Sequence, residues 1–323
     1  MGATPIFLFS VSRSGSTLVQ RILAAHEGVS TVSEPWILLP LIYATRPEGV
    51  LAEYVHPLMV DAITDFCAEM PGGPAEYREE AHNFAMRLYD KATEPNSRYF
   101  LDKSPPYCLI AEDIMQLFPE GKFVFLWRNP LSIISSMIET WLGGHWHPTM
   151  YRSDLFSGLP RLIAAYDANP SRAHSVCFEN LVADDDDQWK QLTRYLGIEF
   201  DPRTLETFSS VELRGRMGDP TGTKHYTRLS ADPAQKWRRT LNNPIRKAWC
   251  RRYLRFLGQD RLAVMGYSLD GLIADLDAQP SDTMSLGGDF GRMVVDLAKE
   301  PLRVRAQQSG LGGPNIIRAL LGA

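Results

Sequence analysis

Two hydrophobic rhythms alternate along the chain. Residues 5–11 (PIFLFSV) are almost continuously apolar, the pattern of a strand buried on both faces of a parallel sheet. From Thr17 to Ala25 (TLVQRILAA) the apolar positions Leu18, Ile22 and Ala25 fall at helical spacing, so the opening predicts strand, small-residue turn, helix. The same order recurs over 98–138. RYFLDKS predicts a strand with a polar tip, YCLIAEDIMQLFP an amphipathic helix, KFVFLW a second buried strand and SIISSMIETWL a further helix. HSVCFE (174–179) predicts a fourth strand, followed by the acidic run Asp184 to Asp187 and the helix QWKQLTRYLG. This alternation predicts a three-layer α/β domain with a mainly parallel central sheet over residues 1–275. Residues 37–97 and 140–166 are expected to form a helical cap, and 212–236, rich in Gly, Pro, Thr and charge, a long loop. After about Leu276 the composition shifts to Gly, Ser, Asp and Pro. Residues 276–323 are expected to be an appended tail with one amphipathic stretch, FGRMVVDLAKEPLRV.

Composition narrows the classes. Of the 323 residues 44% are hydrophobic and 22% charged, which excludes collagen-like and disordered chains. The net charge of −4 supplies no overall positive field for nucleic acid or an anionic membrane, so any anion site must be local. The four cysteines (Cys67, Cys108, Cys177, Cys250) are widely spaced and include no CxxC pair, so neither a zinc site nor a disulfide framework is expected. The first apolar run, Ile6 to Phe9, is too short for a signal segment or a membrane span, so a cytoplasmic location is expected.

Chemistry concentrates at two turns. Ser12, Arg13, Ser14, Gly15, Ser16 and Thr17 lie between a buried strand and a helix, where backbone N–H groups converge on one spot and favour a phosphate or sulfate. Read without ligand, the same stretch is a serine-rich turn with Ser16 as helix cap. The GK pair of a Walker loop is missing, and no G-x-S-x-G nucleophile turn occurs here. At the second turn Arg128 emerges from the end of KFVFLW, facing the ligand crevice of an open sheet. Its planar fork suits phosphate, and Ser136, eight residues on, would return to the same oxygens.

Together these stretches resemble the PAPS-dependent sulfotransferases, whose cofactor is 3′-phosphoadenosine 5′-phosphosulfate (PAPS). FSVSRSGSTL is similar to the family's 5′-phosphosulfate loop in its Arg-Ser-Gly form, with Arg13 where many members carry Lys; LWRNPLSIISS is similar to its 3′-phosphate motif. VCFENLVADDDDQWKQLTRYLGIEF and KWRRTL resemble later family features, so the likeness spans roughly residues 4–275. It implies a P-loop-like fold and metal-free sulfuryl transfer from PAPS to an acceptor hydroxyl or amine, leaving 3′,5′-adenosine bisphosphate. Carbohydrate and protein-tyrosine sulfotransferases use a carboxylate base. Glu34, in VSEPW, is its counterpart, with Pro35 fixing the turn and Trp36 shielding the carboxylate. Many cytosolic members use a histidine instead, which makes His82, His145 and His147 competitors. Lys103, in LDKSP, is similar to a Lys-x-Pro turn of the tyrosine enzymes and is assigned with Arg13 to stabilising charge on the leaving phosphate.

The loop ending at Lys236-Trp237 is expected to close over the cofactor, with Lys224 or Arg228 on phosphate and Trp237 on adenine. The family's RKGxxG pattern is only echoed by Gly215, Gly218 and Gly222. Aromatics in the cap, among them Trp36, Tyr54, Trp141 and Phe156, suit a small-molecule acceptor that is apolar, such as a lipid, polyketide or glycolipid. The tail is expected to cover that pocket, join a second copy of the chain or rest on a membrane. Two other readings remain at this point: a degenerate phosphotransferase using ATP and magnesium, and a non-catalytic nucleotide-binding protein.

Overall fold

The computed structural model describes residues 2–183, 186–218, 229–230 and 232–296. Five strands form one sheet in the order β2-β3-β1-β4-β5, every neighbouring pair parallel. They are β1 (Thr4–Phe9), β2 (Val29–Thr31), β3 (Tyr99–Asp102), β4 (Lys122–Trp127) and β5 (Ala173–Cys177). The apolar runs that predicted strands are β1, β3, β4 and β5. The edge strand β2 has only three residues and was not anticipated.

The near-continuous runs are buried twice over because alternate side chains feed two cores. Phe7, Phe9, Phe100, Phe123, Phe125 and Trp127 face one layer; Ile6, Leu8, Leu101, Val124, Leu126 and Val176 face the other. The aliphatic face is covered by α1 (Ser16–Ala24), through Leu18, Val19, Ile22 and Leu23, and by a later helix, Asp187–Leu196, through Trp189, Leu192 and Leu196. The aromatic face stacks on itself, with Phe9 and Phe123 centroids 6.1 Å apart at an interplanar angle of 6°. It is covered by helices from the middle and end of the chain.

Between β2 and β3 the chain makes α2 (Leu38–Tyr43), α3 (His56–Ala68) and α4 (Gly73–Ala92), the helical segment expected over 37–97. The helix expected over YCLIAEDIMQLFP is divided. A 3₁₀ turn, Pro105–Leu109, and α5 (Ala111–Leu117) meet at Ile110, whose φ of −136° is not helical. After β4 comes α6 (Pro130–Leu142), begun by Asn129, whose Oδ1 accepts from the N–H of Leu131. His145-Trp146-His147 is loop. A π-helical turn, Ser153–Gly158, then leads into the helix Leu159–Ala168.

The described part of the C-terminal segment packs against the α/β unit. Asp289, on a helical stretch over 286–296, accepts from Arg246 Nε at 2.7 Å and Nη2 at 3.2 Å, and Asp296 accepts from His147 and Thr149 at 3.0 Å each. Arg246 and Asp289 are both buried, so each charge depends on the other. No helix among the described residues is long and apolar enough to cross a membrane.

All four cysteines are free thiols. Burial pushes Cys108 and Cys250 far above the ordinary thiol range and Cys177 up to about 11. A disulfide reagent at pH 8 should therefore label the native protein negligibly and the denatured protein at four sites. Rapid labelling of any one native thiol would contradict this packing.

Candidate active site

The C-terminal ends of β1, β3 and β4 bring the chemistry to one place. β1 is the strand from which the chain order diverges, and the crevice above such a switch point is where open α/β sheets hold ligands. The loop after β1 contributes residues 12–17. Gly15 is the N-cap of α1 with φ of 92°, and no side chain caps the helix. The amides of Ser16 and Thr17, at the start of α1, therefore receive no capping side chain, and the turn is not the serine-capped one. Arg13 also takes a left-handed conformation, φ 68°, a cost that loops at functional sites commonly carry.

The second turn meets the first directly. Arg128 Nη1 donates to the carbonyl of Arg13 at 2.7 Å, and Arg13 Nε donates to Ser136 Oγ at 3.2 Å. Arg128 lies over the ring of Phe178, 4.5 Å from its centroid, and Gly15 lies against the same ring. Phe178 thus packs between the two turns. Glu179 fixes the second turn further by accepting from the N–H of Asn129 at 3.0 Å.

Facing the loop is a buried ion pair. Lys103 Nζ lies 2.6 Å from Glu34 Oε1, with the lysine 1% and the glutamate 9% exposed in their side chains. Lys103 also reaches Thr17 Oγ1 at 3.4 Å, and Trp36 Nε1 donates to Glu34 Oε2 at 3.0 Å. The turn carrying Glu34 is held by Gln20, whose amide donates to Thr31 Oγ1, Val32 O and Ser33 O. Trp36 has φ of 56°.

These groups line one cavity of about 340 Å³. Ser12, Arg13, Gly15, Ser16 and Thr17 form its floor and Glu34, Trp36 and Lys103 its centre. Pro105, Pro106, Leu109, Trp141 and Met217 give an apolar wall, interrupted by Ser153 and Asp154 of the π-helical turn. Ser14 is buried behind the loop, while Arg128 and Ser136 join the cavity through Arg13. Trp237 is elsewhere, 2% exposed within the aromatic-side core with Arg238 over its ring, and does not line the cavity. Lys224 and Arg228 lie outside the described residues. None of the three histidines lines the cavity: His82 pairs with Glu120 at 2.8 Å, His147 with Asp296, and His145 is exposed. Among the described residues no cluster of three or more His, Cys, Asp or Glu is arranged to hold a metal.

Three participants had no assignment from sequence. Phe178 was read as a strand residue, Asp154 belongs to a turn without a motif, and Asp102 was seen only as part of a polar strand tip. Asp102 is 1% exposed. It accepts from Tyr89 OH at 2.7 Å, Ser104 Oγ at 2.8 Å and Tyr107 OH at 3.2 Å. Burial pushes its carboxyl up to about 6, against the opposing pull of those hydroxyls and of Lys103.

A mainly parallel sheet carrying an uncapped loop after its first strand defines a P-loop-like α/β protein. Residues 5–202 match the profile of the Sulfotransferase family, and the chain belongs to that family. It is 26% identical over 229 residues to the nodulation protein NoeE of Sinorhizobium fredii, covering 64% of this chain and 52% of NoeE. The chain thus spans about half the length of that relative. A putative protein-tyrosine sulfotransferase of Caenorhabditis briggsae is 24% identical over 255 residues, covering 72% of this chain and 84% of the relative. In fold it is similar to the sulfotransferase domain from the curacin biosynthetic pathway, with a TM-score of 0.53 and 22% identity over 79% of this chain and 97% of that one.

Proposed function

We propose that this sulfotransferase moves a sulfuryl group from PAPS to a hydroxyl of an acceptor with an apolar body, with Glu34 as the base. The observation that carries the reading is the buried Glu34–Lys103 pair opening onto the same cavity as the uncapped loop. The donor set fits the cofactor. Amides of α1, Arg13 and the Ser16 and Thr17 hydroxyls suit the phosphosulfate, and Arg128 with Ser136 suits the 3′-phosphate.

PAPS, when bound, supplies an activated sulfuryl group, joined to its 5′-phosphate by the S–O bond that is broken. Glu34 accepts the proton of the acceptor hydroxyl as the acceptor oxygen bonds to sulfur. Protonation of Glu34 would end its ion pair with Lys103, whose ammonium, with Arg13, would then stabilise negative charge on the departing phosphate. The buried setting strengthens both effects. The apolar wall of Pro105, Pro106, Leu109 and Trp141 suits a lipid-, polyketide- or glycolipid-like acceptor, and Asp154 offers a hydrogen-bond acceptor to a second polar group on it.

Calorimetry with 3′,5′-adenosine bisphosphate in the presence of a chelator tests the cofactor. Micromolar or tighter binding is expected, independent of metal and weakened about tenfold or more by Arg128→Ala, the usual loss for a charge-assisted pair. Binding of ATP with magnesium, and none of the bisphosphate, would replace this reading with phosphoryl transfer. Tight bisphosphate binding with no transfer to any acceptor would favour a non-catalytic nucleotide-binding protein.

A further inference from the structure

Two hydrogen-bonded relays end on one buried carboxylate. The N–H of Trp36 donates to Ser104 Oγ at 3.3 Å, and that hydroxyl donates to Asp102 Oδ1. The N–H of Leu38 donates to Tyr107 OH at 3.2 Å, and that phenol donates to Asp102 Oδ2. Tyr89 OH, from α4, donates to the same Oδ2. Each hydroxyl has one proton and two lone pairs, so it accepts from the backbone N–H while donating its proton to Asp102. Asp102, as a carboxylate, is the acceptor that sets the direction of both relays.

The relays run to the two pieces of chain that present the ion pair. Asp102 immediately precedes Lys103 at the end of β3, and Trp36 and Leu38 follow Glu34 in the turn beyond β2. Trp36, held in its left-handed conformation, also donates its indole N–H to Glu34. We propose that Asp102 is a positioning residue for the transfer reaction, locking the Glu34 and Lys103 turns together through Ser104 and Tyr107. The inference rests on the proposed role of that pair.

A pH dependence follows. The titratable groups facing Asp102 are Lys103 beside it, Tyr89 from α4 and Tyr107 from the 3₁₀ turn. Burial and the neighbouring carboxylate push both phenols up, so among these groups the change near pH 6 belongs to Asp102. Protonating Asp102 removes an acceptor from a cluster with three donors, so activity should fall as pH drops through about 6. Stability should move the other way. Because the folded carboxyl titrates above its ordinary value of 3.8, the folded state holds the proton more tightly, and this group's contribution to stability falls as pH rises from about 4 to about 6.

The test compares wild type with Asp102→Asn, Tyr107→Phe and the double variant. The readouts are kcat and KM for transfer from PAPS, bisphosphate affinity, and labelling of Lys103 by acetic anhydride followed by mass spectrometry. Asn puts an N–H against a donor, so Asp102→Asn should lower kcat about ten- to a hundredfold, expose Lys103 to labelling, remove the fall in activity near pH 6 and leave bisphosphate affinity nearly unchanged. Removing one donor with Tyr107→Phe should restore part of kcat in the double variant, a coupling that a merely destabilised fold would not show. If Asp102→Asn does not fold, Tyr107→Phe alone should still lower kcat and increase Lys103 labelling. Protected Lys103 together with unchanged kcat in the variants overturns the inference. Wild type that neither binds the bisphosphate nor transfers from PAPS overturns the functional reading instead, and Lys103 labelling still decides whether Asp102 holds the turn.

Discussion

Glu34→Gln is expected to lower turnover by a factor of about 10² to 10⁴, the range associated with a positioned general base, while leaving bisphosphate affinity nearly intact. The substitution keeps the size of the side chain and removes only its capacity to take a proton. The hydrogen bonds of Glu34 run to Trp36 and Lys103, and it meets the loop after β1 through Lys103 and Thr17, so cofactor affinity should follow turnover only weakly. One complication is physical. Lys103 Nζ and Trp36 Nε1 are both donors, so the amide must turn its N–H₂ toward one of them. Some of the loss will therefore come from Lys103. Lys103→Met separates the parts, because it should impair the leaving group's stabilisation while keeping the Glu34 carboxylate in the chain. Kinetics with Asp154→Asn complete the comparison, since Asp154, whose Oδ1 accepts from the N–H of Ser12 at 3.3 Å, is the other carboxylate among the described residues lining the cavity. Near-wild-type turnover in Glu34→Gln with a large loss in Asp154→Asn would move the base to Asp154. His82, His145 and His147 are not placed for the role, because none of the three lines the cavity.

Why Glu34 and Lys103 meet is legible only once the strand order is known. Each stood out locally, Glu34 before a proline turn and Lys103 at a strand tip, but 69 positions separate them. The parallel register of β2 with β3 puts Thr31 opposite Leu101, so Glu34 and Lys103 emerge within a residue of one another at the same sheet edge. That register depended on β2, a three-residue strand at the edge whose sequence, VST, is too short to show a period. The central strands β1 and β4 were legible because both their faces are buried and their runs are unbroken.

Other features were hidden for a different reason. A serine before a helical run looks like a cap, yet α1 begins at Gly15 with no side-chain cap, because the turn closes through backbone bonds to Val11 and Gly15. Asp102 sits in an apolar strand where an acid usually ends at solvent. Its partners come from α4 and the 3₁₀ turn, and only packing brings Tyr89 and Tyr107 to it. Trp237 shows the converse. An aromatic beside a lysine suits a purine by composition, and the fold spends it on the core.

Gly15→Ala should disable the protein at the loop itself. A Cβ at this position would lie 2.2 Å and 2.3 Å from two carbons of the Phe178 ring, closer than any real contact. The ring has no direction of retreat. It is 1% exposed within the aliphatic core, and Arg128 packs over it at 4.5 Å. The backbone compounds the clash, since φ of 92° is strained for any residue with a side chain. Left-handed strain of about 1–3 kcal/mol and overpacking of about 1–3 kcal/mol together predict a large fall in Tm, read by thermal unfolding. The loss should also appear in bisphosphate calorimetry, because whichever element yields moves an anion contact: the loop shifts its own amides, and Phe178 shifts Arg128. Phe178→Leu in the Gly15→Ala background separates the two causes. It should recover the part due to the clash and none of the part due to φ. Wild-type stability and affinity in Gly15→Ala would mean that Phe178 does not join the two turns, and the geometry assigned to the anion site would fall with it.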